Sequence, residues 1–259
     1  MKYQKLKQAA LKCILLTTFE PIKTRLKLPI HSISCYNLYS MTLILNIETS
    51  TKVCSVSLGL NGELLAFKEE SSDKYIHSEK LNVFIEELFT QVDYELKDLA
   101  AVCVSKGPGS YTGLRIGVSS AKGFCYALDI PLISIDSLSV LASGYLNKNF
   151  IAANTILMPM IDARRMEVYT AAFNNKAEML NAISAEVIDA EFFDGNKEII
   201  LIGDGAEKCN VVITENVRIE NHLSSSIGMI KLSYLKFSQK EFEDVAYFEP
   251  FYLKDFIAV

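Results

Sequence analysis

Twice along this chain an apolar run of strand length ends on an acid, turns through a short polar tip and returns as a second β-rich run. Residues 43–47 and 53–60 flank Glu48-Thr49-Ser50-Thr51-Lys52, the signature of a hairpin with a polar tip. Near Ile156 the pattern starts again: a run closes on Asp162, turns through Ala163-Arg164-Arg165, and returns from Glu167 to Phe173. The echo lies in the pattern and not in the letters. Strand-rich hairpins leading into helices, occurring twice, predict an α/β chain of two related lobes. We place the first at 41–150 and a smaller, degenerate second at 151–259, with the final helix free to return to the first.

Between the hairpins the sequence becomes helical. A short apolar run at Leu64 to Phe67 is followed by Ser78 to Val92, which sets Leu81, Phe84, Ile85, Leu88 and Val92 on one helical face. Val83 and Phe89 widen that apolar arc. A strand at Ala100 to Ser105 then leads into the Gly-rich loop Lys106-Gly107-Pro108-Gly109-Ser110-Tyr111-Thr112-Gly113, which opens a helix to about residue 128. On it Gly113, Gly117 and Ala121 follow a small-x-x-x-small spacing. Two neighbouring helices apolar on more than one side require deep burial or a partner. The partner-facing set on this reading is Leu81, Phe84, Ile85, Leu88, Gly113, Ile116, Gly117, Ser120, Ala121 and Phe124, and without a partner the same patch would self-associate. The loop itself has two readings: a tight turn that lets strand and helix pack closely, or a weak anion site at a helix N-terminus with Lys106, Gly107, Gly109 and Arg115 as contacts. It lacks the spacing of a P-loop.

Charge separates the first forty residues from the rest. Seven of the 26 Lys and Arg residues and one of the 31 acids lie in 1–40, which leaves 19 bases against 30 acids over 41–259, a net −11. A body so acidic is a poor grip for a polyanion. The basic prefix contains Pro21 and Pro29 and shows no sustained period. It reads either as an over-called start ahead of Met41 or as a targeting or tethering arm, the first being preferred. The six cysteines form no C-x-x-C pair, and Cys54, Cys103 and Cys125 sit in apolar runs, as buried thiols of a reducing cytoplasm do. No apolar run reaches the length of a membrane span.

Three segments, in this order, resemble the TsaB family: Asn46-Ile47-Glu48-Thr49-Ser50, the loop Gly107 to Gly117, and Ile161-Asp162-Ala163-Arg164-Arg165 with Glu167-Val168-Tyr169. The likeness runs from Met41 to about Phe256 and includes Ile202-Gly203-Asp204-Gly205-Ala206 and Pro250-Phe251-Tyr252-Leu253. It implies a two-lobed actin-like (ribonuclease H-like) fold and a dimerisation subunit of the bacterial tRNA threonylcarbamoyladenosine complex. In that family the subunit pairs with a TsaD-like catalytic subunit through first-lobe helices, and a TsaE-like ATPase joins them. The complex moves threonylcarbamoyl from its adenylate to the tRNA adenosine beside the anticodon. The resemblance implies no intrinsic cofactor, no membrane, tRNA reached only through the complex, and ATP or ADP with Mg at the partner interface. Glu48, Thr49, Ser50 and Asp162 are the further candidate nucleotide contacts.

The chemistry of a catalytic relative looks eroded. Its metal is held by two His four apart on a helix, which puts both imidazoles on one face. Here the matching pair is His77 and Leu81, so His77 reads as a helix-start residue bonded locally. The first tip carries no Gly for a backbone to approach phosphate, and the second has Ala163, Arg164 and Arg165 instead. Those arginines either touch a partner or close the cleft, or are solvated turn residues. No G-x-S-x-G elbow is present. The competing readings are a small-molecule kinase of the actin-like fold, a metallopeptidase-like enzyme, and a tRNA-binding module working through the prefix.

Overall fold

The computed structural model describes residues 41–72, 76–189, 192–193 and 197–254. The basic prefix, and both readings of it, lie outside them. Apolar residues alternating on both sides of a strand demand cover on both faces, and the first hairpin meets that condition. Strand β1 (Leu43–Glu48) is buried at every position. It pairs antiparallel with β2 (Val53–Leu60), which pairs with β3 (Glu63–Ser71), and parallel with β4 (Leu99–Gly107), which pairs with β5 (Leu132–Asp136), giving the order β3-β2-β1-β4-β5. Leu43, Leu45 and Ile47 point to one face, where helices α1 (His77–Thr90) and α2 (Tyr111–Leu128) cover them. Ile44 points to the other, where it clusters with Val140 of α3 (Ser137–Leu146) and with Met229. Each fully buried side chain of this size contributes about 1.5–3 kcal/mol.

Local chemistry sets the helix limits. Ser110 caps α2 by accepting from Gly113 N at 3.2 Å, and the helix stops where Asp129 turns left-handed at φ 54°. Asp136 caps α3 through Ser139 N at 2.7 Å.

The second sheet repeats the first. Strands β6 (Ile156–Asp162), β7 (Glu167–Thr170) and β8 (Ser184–Val187) form an antiparallel meander, and β9 (Ile199–Ile202) and β10 (Val217–Ile219) add in parallel beside β6, so the order β8-β7-β6-β9-β10 matches β3-β2-β1-β4-β5 strand for strand. Its crossovers have shrunk: a six-residue 3₁₀ helix at Ala206–Val211 stands where α2 stands in the first lobe. The strand expected to reach Phe173 ends at Thr170, and Phe173 makes only isolated bridges to Leu157 and Met179.

Helix α3 lies between the two sheets. Leu138, Leu141, Ala142 and Tyr145 join the core of the second with Leu157, Ile161, Ile200 and Ile202, while Val140 joins the first. The last helix, α4 (Ile230–Gln239), packs against the first sheet through Leu232 and Phe237. The described residues form one compact unit. No helix among the described residues is long and apolar enough to cross a membrane.

Candidate functional site

The two hairpin tips define the site that a two-lobed fold of this kind offers. At the first, the period of β1 turns Glu48 to the side of Ile44, away from α1 and α2. Its carboxyl is wholly buried. Oε1 accepts from Ser50 N at 2.6 Å and Ser105 Oγ at 3.0 Å, and Oε2 has no hydrogen bond. Burial raises the Glu48 pKa above the ordinary 4.5, while bonds from Ser50 and Ser105, with Ser224 nearby, pull it the other way.

Thr49 and Ser50 are seated in the start of α2. Thr49 Oγ1 donates to the Gly113 carbonyl at 2.9 Å, and the Ser50 carbonyl accepts from Ser110 N at 2.6 Å. A Cβ on Gly109 would stand 2.2 Å from Ser50 O, one on Gly113 2.1 Å from Thr49 O, and one on Gly117 2.2 Å from Thr49 Oγ1. The glycines of the loop therefore admit the first hairpin tip, which is the packing reading. Gly113 and Gly117 make room for Thr49 of the first tip, and Gly113 also lies close to the His77 ring.

The partner-facing set needs the same correction. Leu81, Phe84, Ile85 and Leu88 are buried in the chain's own core, and Gly113, Gly117 and Ala121 lie on the buried side of α2. Ile116, Ser120 and Phe124 keep partial exposure. A periodic stripe marks the buried side of a helix without saying who buries it, and here the sheet does. The open side of the pair consists of Val83 and Glu86 on α1 and Ser119, Gly123, Tyr126 and Ala127 on α2. Tyr126 is 87% exposed, and a Cβ on Gly123 would meet nothing within 4 Å.

His77 is buried, and its Nε2 lies 2.9 Å from the Thr51 carbonyl. Its Nε2 thus reaches the first hairpin, 26 residues away in sequence. Burial lowers its pKa. With Leu81 in the core, the pair does not suit a metal. Among the described residues no group of three or more His, Cys, Asp or Glu side chains has the geometry to hold one. The four described cysteines, Cys54, Cys103, Cys125 and Cys209, are free and buried.

Arg115 is held by aromatic neighbours. Its guanidinium stacks 4.0 Å from the Tyr111 ring and bonds the Tyr111 and Tyr252 hydroxyls, the latter at 3.1 Å. The Lys106 carbonyl accepts from Phe251 N at 2.7 Å, and Gly107 abuts the Phe251 carbonyl. Lys122 donates to the carbonyls of Ala246 and Phe248 at 3.1 and 3.0 Å. Residues 246–252 are thereby strapped along α2, a contact the sequence did not announce.

At the second tip, Asp162 is exposed and Oδ1 accepts from Arg164 N at 2.6 Å and Lys208 Nζ at 2.7 Å. Asp204 Oδ1 accepts from Asp162 N at 3.1 Å, and burial raises the Asp204 pKa. Lys52 of the first tip lies within electrostatic reach of Asp204, which links the two tips. Arg164 and Arg165 are exposed at φ 69° and 49°. Asp204 and Lys208 were absent from the expected site. The signal for Asp204 was Gly203-Asp204-Gly205 directly after an apolar strand.

The family model described as "TsaD: tRNA N6-adenosine threonylcarbamoyltransferase" matches residues 70–220, more than half of the chain. The tRNA threonylcarbamoyladenosine biosynthesis protein TsaB of Escherichia coli is 26% identical over 229 residues, covering 83% of this chain and 96% of that protein. TsaB of Bacillus subtilis is 34% identical over 140 residues, 54% of this chain and 58% of the relative. The solved structure of YeaZ from Pseudomonas aeruginosa superposes with a TM-score of 0.69 at 25% identity, over 82% of this chain and all of that one. The chain belongs to the TsaD family, as a TsaB-type member. The matched sheets are those of the actin-like plan, with the second lobe reduced. In this TsaB-type chain the first tip is closed by the start of α2.

Proposed function

We propose that this TsaB-type chain is a non-catalytic subunit in tRNA threonylcarbamoyladenosine biosynthesis, and that the open side of α1 and α2 docks a TsaD-like catalytic subunit. One observation carries this reading: the groups of the first tip that a nucleotide would use are taken by the chain's own bonds, Thr49 to Gly113 and Ser50 to Ser110. The His77 imidazole is likewise tied to Thr51, while the neighbouring helix face stays uncovered at Tyr126 and Gly123. A TsaE-like ATPase joins the pair, tRNA is reached through the assembled complex, and self-association uses the same face when the partner is missing. Any ATP or ADP with Mg is held jointly with the partner, since the first tip's Thr49 and Ser50 are already bonded within the chain.

Gly123→Arg and Tyr126→Asp test the docking face without touching the core. Both should fold with an unchanged melting temperature and lose capture of the TsaD-like subunit. Retained capture by both would sink the docking face, and ATP turnover by the purified chain that disappears in Glu48→Gln would sink the non-catalytic role.

A further inference from the structure

The second tip carries two arginines that the fold leaves unused. Asp162 Oδ1 accepts from Arg164 N at 2.6 Å and from Lys208 Nζ at 2.7 Å. Lys208 also donates to the Glu167 carbonyl at 3.0 Å, the Glu167 carboxylate pairs with Lys254, and Asp204 accepts from Asp162 N. Each carboxylate of this network thus has a partner from a lysine or from the backbone. The Arg164 and Arg165 side chains stay outside it. Both residues are exposed, and neither makes an ion pair or a hydrogen bond through its side chain with any described residue.

Their backbone is one that long side chains disfavour. Arg164 at φ 69° and Arg165 at φ 49° both lie in the left-handed region, where glycine and asparagine are at ease. Two consecutive arginines there are locally unfavourable, and no side-chain contact within the described chain offsets that. An outlier of this kind points to a role outside the chain. The surroundings agree. Arg164 and Lys254 both lie within electrostatic reach of Tyr169, and Lys52 of the first tip lies within reach of Asp204. Lys254 follows just beyond Tyr252, whose hydroxyl accepts from Arg115 Nε on α2 at 3.1 Å. Cations therefore lead from the flank of α2 to the second tip, on a body in which acids outnumber bases.

A guanidinium with its N–H groups uncommitted offers a planar fork that takes a phosphate through two parallel bonds. In the subunit role proposed above, the polyanion that comes to the complex is tRNA. We propose that Arg164 and Arg165 contact the phosphate backbone of that tRNA once the TsaD-like subunit has brought it to the complex. The proposal rests on the subunit role and adds to it a second surface, on the other lobe from the docking face. Two phosphate contacts are too few to hold RNA without the partner, since affinity for a polyanion grows with the number of phosphates neutralised.

Filter retention of a labelled, unmodified tRNA transcript by the complex of the full chain with the TsaD-like subunit, at several salt concentrations, tests it. Asparagine tolerates the left-handed region, so Arg164→Asn combined with Arg165→Asn removes both charges and keeps the turn. The double variant should capture the TsaD-like subunit as the parent does. It should bind tRNA about tenfold more weakly at physiological salt, with a salt slope smaller by about one to two. Lys240→Asn, which removes another exposed cation of left-handed backbone at the end of α4, should change neither. The proposal is overturned if the double variant keeps the parent's affinity and slope, or if Lys240→Asn weakens binding as much. It is also overturned if the double variant loses the TsaD-like subunit, which would make the arginines a protein contact. Capture reads the subunit role and the salt slope reads the tip. A parent chain that captures no TsaD-like subunit would sink that role and this proposal with it, whereas an unchanged slope with capture intact would sink this proposal alone.

Discussion

One methyl group added at position 117 probes how tightly the first tip is seated. In Gly117→Ala the new Cβ would fall 2.2 Å from Thr49 Oγ1, and overpacking of this kind costs about 1–3 kcal/mol. A thermal melt should show that loss, whereas Gly123→Ala, on the open side of the same helix, should lose nothing. Glu48 offers a second test at this scale. Burial raises its pKa, so the native state holds the proton more tightly than the unfolded chain. Its contribution to stability is therefore full below about 4.5 and falls as pH rises through the raised native value. Glu48→Gln keeps an acceptor for Ser50 and Ser105 without the charge. Urea midpoints across the acid-to-neutral range should decline less steeply with pH for the variant than for the parent. At single positions the sequence was a partial guide. It marked Glu48 and Asp162 as the acids of two tips, because each follows a strand-length apolar run. It misassigned Gly113, Gly117 and Leu81, because spacing shows which side of a helix is crowded and not which surface crowds it.

Among the elements, α3 bears the most. Leu141→Ala should cost about 2–5 kcal/mol, and because Leu141 packs with Leu157 and Ile200 while Val140 of the same helix packs under the first sheet, both sheets should unfold in one transition. Far-UV circular dichroism and fluorescence probes placed in each lobe should give coincident denaturation curves. The strap over α2 makes a milder prediction. Lys122→Ala removes the donor to the carbonyls of Ala246 and Phe248, and hydrogen exchange should quicken around residues 246–252 with little change in overall stability. Elements with a clear period were legible in the sequence: both hairpins, α1 and α2. Helix α3 was not, since it is buried nearly all round and shows no polar side from which to read a period. Strands β8 to β10 are only three or four residues long, too short for alternation to register.

For the molecule as a whole, the proposed supporting role can be tested through charge. A body carrying 30 acids against 19 bases over 41–259 should retain little tRNA alone in a filter-binding assay at physiological salt, and binding should appear only with the catalytic partner present. The repeated strand order of the two sheets was foreseeable from the twofold hairpin pattern. The shrinkage of the second lobe's crossovers was foreseeable only in outline, because residues 174–240 carry few long apolar periods. The helix wedged between the sheets has a last consequence. In enzymes that close on a substrate, the halves swing about a hinge; here any swing would drag Leu138, Leu141 and Tyr145 out of one hydrophobic interior to spare the other. A partner docked on α2 as proposed would therefore meet a surface whose shape is set by one shared interior before the two touch.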